Sequence, residues 1–181
     1  KLVLRPPVGS LTAKIGVFAS GIGGLSVLRE IHRRLPDHPT VYLADQYHLP
    51  YGPRPVSEIQ SFAEAITNFL LGQGCVVVVI ACNTASAASL LYLRQKFPHT
   101  PFVGMEPALK PALAASQTGV VGVLSTRATA EGDLYKRLLE RYVDGKQVIT
   151  QVAPELVRIA EEQSQHTSAS RAIIADYIQP L

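Results

Sequence analysis

A cysteine closely follows the most apolar segment of this 181-residue chain and precedes two polar residues. The segment 76–80 consists of four valines and an isoleucine, which is typical of a strand buried on both faces of a parallel sheet. Cys82, Asn83 and Thr84 then lead into a predicted helix at 85–97. Because open α/β sheets bind ligands at strand ends and helix N-termini favour thiolates, this pattern predicts a reactive thiol. The alternative is a small buried apolar residue, the usual role of a free cysteine.

A glycine-rich turn, Ala-Ser-Gly-Ile-Gly-Gly at residues 19–24, follows the first predicted strand. The turn lacks the last glycine of a dinucleotide fingerprint, where Ser26 stands, and the Gly-Lys-Ser/Thr end of a P-loop. We therefore expect its backbone N–H groups to bind a small carboxylate rather than a nucleotide, with Ser20 adding a hydroxyl group. A plain tight turn is the alternative, because glycine often serves backbone geometry alone.

Other polar residues follow predicted strands or end predicted helices. In the loop 45–53, Tyr51 and Gly52 could offer a ring edge and a backbone amide to a ligand. Thr126 has a position typical of a helix cap, and Glu161 one typical of a solvated helix end. The cysteines lack the spacing of zinc ligands and no two histidines are four residues apart, so we expect no metal site. A thiol hydrolase would need a base beside Cys82, and the sequence identifies none.

Predicted strands and helices alternate after residue 13, which indicates a parallel α/β fold. The strands are expected near 15–18, 40–43, 75–80, 101–103, 120–124 and 147–151. The helices are expected near 24–35, 57–71, 85–97, 107–116, 128–142, 154–162 and 168–178. We predict two similar parallel-sheet βα domains that face each other across a cleft. A flexible tail (1–13) precedes the first domain (14–98), which carries Cys82, and the second domain (99–181) is C-terminally incomplete.

The amino-acid composition limits the possible binding partners of the protein and its cellular compartment. Hydrophobic residues make up 47% of the chain, enough to form a core. Seventeen basic residues against 14 acidic ones are scattered along the sequence, so we expect no nucleic-acid partner. No apolar run is long enough to cross a membrane. A straight strand would hold Cys75 and Cys82 roughly 20 Å apart, beyond disulfide reach, which favours a reducing compartment and hence the cytoplasm.

Three segments together resemble glutamate racemases of the aspartate/glutamate racemase superfamily. They read Gly-Val-Phe-Ala-Ser-Gly-Ile-Gly-Gly-Leu at 16–25, Leu-Pro-Tyr-Gly at 49–52 and Ala-Cys-Asn-Thr-Ala-Ser at 81–86. Weaker similarity continues at 103–107 and 122–129, so that the likeness covers the chain from about Lys14 to its end. Each segment alone is a weak signal, but the set in this order is specific.

The resemblance implies an amino-acid racemase, an isomerase that interconverts L- and D-glutamate without a cofactor and supplies D-glutamate for peptidoglycan, cell wall biogenesis and cell shape. One cysteine thiolate removes the α-proton, and a second thiol returns a proton to the opposite face; Cys82 matches the first cysteine. The positions that match substrate-holding residues are Ser20, Tyr51, Gly52, Asn83 and Thr84. Glu161 matches an acidic residue that assists on the side of the second cysteine, and Thr126 is a further candidate for an assisting role.

The sequence departs from the family pattern at two places. Ala19 stands where the family has an aspartate that assists the first cysteine, and the family's second cysteine lies in a Gly-Cys-Thr-His motif that these 181 residues do not contain. We therefore expect this chain alone to exchange the α-proton on one face only. The alternative is a non-catalytic binding or interaction protein on a racemase scaffold. The incomplete second domain would leave sheet edges uncovered, and such edges can pair with another chain. We therefore expect that a homodimer could form.

Overall fold

A computed structural model describes residues 13–143 and 145–181. All but the last residue of the predicted tail 1–13 lies outside these ranges. The strands are β1 (Lys14–Ala19), β2 (Thr40–Ala44), β3 (Cys75–Ile80), β4 (Phe102–Val103), β5 (Val120–Ser125) and β6 (Gln147–Val152). The helices are α1 (Gly24–Arg34), α2 (Val56–Gly72), α3 (Asn83–Lys96), α4 (Leu109–Ala115), α5 (Arg127–Glu131), α6 (Asp133–Tyr142), α7 (Glu155–Glu161) and α8 (Ser168–Ile178).

Two helices differ from their predicted bounds for local reasons. The helix expected at 128–142 is two helices, α5 and α6, because Gly132 between them has an extended backbone with φ −70° and ψ 143°. A Cβ atom at Gly132 would lie 3.1 Å from the Cβ atom of Ala87, so the chain bends where it passes close to α3. Helix α3 begins at Asn83 rather than at residue 85, since the side chain of Cys82 caps its first turn.

The strands form two parallel sheets, which confirms the predicted fold class. The first sheet has the order β2-β1-β3-β4 and the second pairs β5 with β6. Strand β4 lies beside β3, with Phe102 opposite Val78. The first sheet therefore extends beyond residue 98, where the sequence pattern placed the domain boundary. Because the strands are parallel, β1 and β3 end at the same edge of the sheet.

Each sheet packs against helices through its own apolar cluster. In the first, the fully buried side chains of Phe18 and Ile80 contact residues of α2 and α3, such as Leu70 and Leu93. In the second, α4 and α6 cover β5 and β6 with a cluster that includes the buried Tyr135. None of the helices in the described ranges is long and apolar enough to cross a bilayer.

The glycine pair at the start of α1 provides a test of this packing. A Cβ atom at Gly24 would lie 2.5 Å from the Cβ atom of Ala19, whereas a Cβ atom at Gly23 would meet nothing within 4 Å. Alanine normally stabilises a helix relative to glycine. We nevertheless expect Gly24→Ala to lower the free energy of unfolding by about 1–3 kcal/mol, because the new methyl group overpacks this contact. The measurement is urea denaturation followed by circular dichroism.

Gly23→Ala is the matched control, and we expect it to change the free energy of unfolding by less than about 0.5 kcal/mol. Equal stability of Gly24→Ala and Gly23→Ala would show that the contact between α1 and β1 is not as tight as the structure indicates.

Candidate active site

A cavity of about 900 Å³ opens at the carboxyl edge of the first sheet, between the two halves of the chain. The first half contributes the turn after β1 and the start of α3, and the second contributes β5, the turn after it, and α7. The polar side chains in its lining include Ser20, Cys82, Asn83, Thr84, Thr126 and Glu161. The cavity thus collects six of the eight candidate residues identified in the sequence.

Cys82 occupies the N-cap position of α3. Its backbone is extended, with φ −144° and ψ 123°, and its Sγ accepts a hydrogen bond from the backbone N–H of Ala85 at 3.4 Å. Ser20 Oγ lies 3.6 Å from the same sulfur atom. A helix N-terminus carries partial positive charge, so these contacts favour negative charge on a sulfur atom that faces the cavity. Cys82 is half-buried and lines the cavity, so its thiol is not fully enclosed in the core, and its reactivity stays a prediction.

Glu161, the last residue of α7, binds the glycine-rich turn with its carboxylate. The backbone N–H of Ile22 donates to Oε1 at 3.0 Å and to Oε2 at 3.2 Å. Any side chain at Gly21 would overlap with this carboxylate. The interpretation of Glu161 as a solvated helix end is therefore wrong, because α7 turns this side chain toward the cavity. The exposed residue at this helix end is Glu162, which pairs with Arg158 at 2.7 Å. The N–H group of Ile22 in the turn thus binds a carboxylate of the protein itself, and binding of a small carboxylate ligand by the turn stays a prediction.

Three threonine hydroxyl groups join the two halves beside the cavity. Thr84 Oγ1, in the first turn of α3, lies 2.9 Å from Thr126 Oγ1 and 3.4 Å from Thr129 Oγ1. Thr126 and Thr129 lie 3.1 Å apart, and Thr126 also caps α5 by accepting from the backbone N–H of Thr129. The capping role expected for Thr126 is present, and the same hydroxyl group contacts the helix that begins after Cys82.

Tyr51 and Gly52 lie beside the cavity rather than in its lining. The Tyr51 side chain is buried, and its hydroxyl group donates to Asp45 Oδ2 at 2.6 Å. Burial and this hydrogen bond to Asp45 raise the pKa of Tyr51, so the phenol remains protonated. A Cβ atom at Gly52 would lie 3.1 Å from Thr126 Cβ, so the backbone of Gly52 packs directly against the second half.

Tyr42 supports the site and was not identified from the sequence. Its hydroxyl group donates to the carbonyl oxygen of Gly21 at 2.9 Å, directly beneath the turn that Glu161 binds. Burial raises the pKa of Tyr42, and the nearby charges of Glu161 and Cys82 raise it further. A tyrosine in an otherwise apolar strand was the available signal, since a buried phenol usually needs a hydrogen-bond partner.

Comparison with known proteins decides the family. The family model described as Asp/Glu/Hydantoin racemase matches residues 15–181. The chain belongs to this racemase family. The glutamate racemase of Ectopseudomonas mendocina is 46% identical over 169 residues, which cover 93% of this chain and 64% of that protein. The glutamate racemase of Roseiflexus is 47% identical over 167 residues, which cover 92% of this chain and 61% of that protein.

A solved racemase structure shares the architecture. The crystal structure of Escherichia coli glutamate racemase, in complex with L-glutamate and the activator UDP-MurNAc-Ala, superimposes with a TM-score of 0.83 and 35% sequence identity. The match covers 93% of this chain and 63% of that one. This racemase-family chain therefore spans less than two thirds of the length of each of these three relatives.

Ala19 is an apolar residue of the cavity lining, at the position where the sequence resemblance implied an aspartate. The residue is the last of β1, is 2% exposed and lies in the cavity lining immediately before Ser20. Its methyl group cannot accept a proton or pair with an ammonium group. Glu161 is the acidic residue of the lining within the described ranges. In those ranges, no three His, Cys, Asp or Glu side chains are grouped to hold a metal ion.

The two free cysteines of this racemase-family chain differ in environment, which predicts selective alkylation. Cys75 is 4% exposed, and burial raises the pKa of its thiol, whereas Cys82 lines the cavity. We expect iodoacetamide at pH 8 to alkylate Cys82 at least about tenfold faster than Cys75, because a thiolate must be both formed and accessible. Intact-protein mass and peptide mapping measure both rates, and Cys82→Ser should abolish the fast phase. Equal rates at the two cysteines would contradict this assignment.

Proposed function

We propose that this chain provides the Cys82 side of a glutamate racemase active site and acts on glutamate by removing its α-proton. The observation that carries the proposal is the sulfur atom of Cys82 at the N-terminus of α3, 3.6 Å from Ser20 Oγ and open to the cavity. Identity of 46% and 47% to glutamate racemases supports glutamate as the substrate. The complex of the Escherichia coli relative with L-glutamate supports it as well.

The polar lining of the cavity suits the charged groups of an amino acid. Ser20, Asn83 and Thr84 offer hydroxyl and amide donors to carboxylates at the start of α3, where the helix favours anions. Glu161 offers a carboxylate to the ammonium group. We propose that Tyr51 and Gly52 contribute by holding the wall formed by Thr126, since Gly52 packs against that residue.

The proposed step transfers one proton. The Cys82 thiolate takes the α-proton, so that a C–H bond breaks and an S–H bond forms, and the electron pair remains on the α-carbon and its carboxylate. Donors fixed before the reaction stabilise such developing charge best. We assign this role to the first backbone N–H groups of α3 and to the hydroxyl group of Ser20, which lies 3.6 Å from Cys82 Sγ. The step needs no metal or organic cofactor. We propose that the whole protein uses this chemistry in the cytoplasm to supply D-glutamate for peptidoglycan.

The decisive test is exchange of the α-proton of L- and D-glutamate in D2O, followed by proton NMR. We expect this chain to exchange the α-proton of one enantiomer without inverting it, because the cavity presents one thiol. Cys82→Ala should reduce the exchange rate by at least about 100-fold, the usual scale for loss of a proton-transfer group. Cys75→Ala is the matched control and should retain the rate, since Cys75 is buried at the opposite end of β3.

Exchange that survives Cys82→Ala would refute the proposed base. Inversion of either enantiomer by the 181-residue chain would refute the one-face expectation. Absence of exchange with both enantiomers would refute catalysis by this chain and favour a non-catalytic scaffold.

A further inference from the structure

Asp45 connects three parts of the structure that surround the cavity. It directly follows β2, and its backbone N–H donates to the carbonyl oxygen of Ala19 at 2.9 Å, at the end of β1. Its carboxylate accepts hydrogen bonds from Tyr51 Oη at 2.6 Å and from His48 Nδ1 at 2.9 Å. Only 11% of its side chain is exposed, so these partners replace most of its contact with water.

The connection continues from Tyr51 to the cavity. Tyr51 is 2% exposed, so its ring cannot reorient without moving the backbone around it. The next residue, Gly52, packs against Thr126 so closely that an added Cβ atom would lie 3.1 Å from Thr126 Cβ. Thr126 in turn lines the cavity and lies within hydrogen-bond distance of Thr84 in the first turn of α3.

The position of His48 is itself held by packing. Its ring stacks on Phe62, with 3.8 Å between the ring centroids and 16° between the planes. Arg54 donates from Nε to the carbonyl oxygen of His48 at 2.6 Å and places its guanidinium group over the same Phe62 ring. Arg54 also pairs with Glu58 at 3.0 Å. These contacts hold the His48 ring in place, so it can orient the carboxylate of Asp45.

We propose that Asp45 is a positioning residue of the active site. Its carboxylate, oriented by His48, fixes the Tyr51 ring and thereby the backbone of Gly52 against Thr126, while its N–H group fixes the end of β1 immediately before Ser20. Both effects act on groups that surround the ligand, and neither brings Asp45 into contact with it. The inference rests on the proposed function in taking glutamate as the ligand.

The test compares Asp45→Asn, Tyr51→Phe and their double variant by two-dimensional amide NMR and by titration with L-glutamate. We expect both single variants to move the amide resonances of Gly52 and Thr126 in the same direction and to weaken glutamate binding about tenfold. The double variant should bind glutamate with the same affinity as the single variant that binds it more weakly. The reason is that both substitutions affect the same hydrogen bond between Tyr51 and Asp45.

Tyr92→Phe is the matched control. Tyr92 also donates its hydroxyl group to a carboxylate, that of Glu64, on the surface between α2 and α3. Its loss should leave the Gly52 and Thr126 resonances and glutamate affinity unchanged. His48→Gln provides a milder variant if Asp45→Asn does not fold, because the His48 side chain is 34% exposed. We expect it to shift the same two resonances in the same direction by a smaller amount.

The outcomes separate positioning from a purely structural role. The proposal would be overturned if Gly52 and Thr126 do not move in Asp45→Asn, or if Thr126 does not move in Tyr51→Phe, even if the variants melt at lower temperature. Unchanged glutamate affinity in variants whose Gly52 resonance moves would overturn it as well. If the unmodified chain does not bind glutamate, the proposed function fails, while the Gly52 and Thr126 resonances still decide whether Asp45 positions this segment.

Discussion

The register between β1 and β3 is the constraint on which the site depends. Phe18 pairs with Ile80, so Ser20 and Cys82 each follow a paired residue by two positions and emerge at the same edge of the sheet. This is why Ser20 Oγ and Cys82 Sγ lie 3.6 Å apart although 62 residues separate them. A slip of one residue would turn every side chain of one strand to the other face and separate the pair. The buried side chains of both strands oppose such a slip, because it would move them out of the positions in which they are packed.

Polar contacts around the cavity relate the two halves, in addition to apolar contacts such as that of Leu134 in α6 with the first cluster. Glu161 binds the amide of Ile22, and Thr84 contacts Thr126, so a residue of the second half meets each of the two segments that hold Ser20 and Cys82. Most residues of the first apolar cluster belong to the first half, and those of the second cluster belong to the second half. The backbone N–H group of Ile22, which could bind an anionic ligand, thus donates to the carboxylate of Glu161. An incoming carboxylate at this turn would therefore compete with the contact that joins α7 to the first half.

The sequence predicted what depends on local pattern and missed what depends on packing between distant segments. The valine run before Cys82 located β3 and the edge of the sheet, because such a run has few other stable environments. The sequence analysis placed strand β4 in the second domain, whereas it pairs with β3 of the first sheet. A strand of two residues carries no pattern that shows which sheet it joins. The inward position of Glu161 depends on how α7 packs, and a helix end carries no signal for that. The placement of Tyr51 outside the lining likewise follows from its partner Asp45.

Ala19 bears on the proposed role of Cys82 as a base. Residue 19 offers no carboxylate, so the groups beside the sulfur atom that suit negative charge are the N-terminus of α3 and Ser20, and a helix terminus contributes at most about 2 kcal/mol to such an interaction. Glu161 contributes the charge of a carboxylate to the same lining. A glutamate ammonium group would offset that charge, because it can pair with Glu161. Under the proposed function, the substrate would therefore balance the charge of Glu161 beside the thiol that is proposed to act as its base.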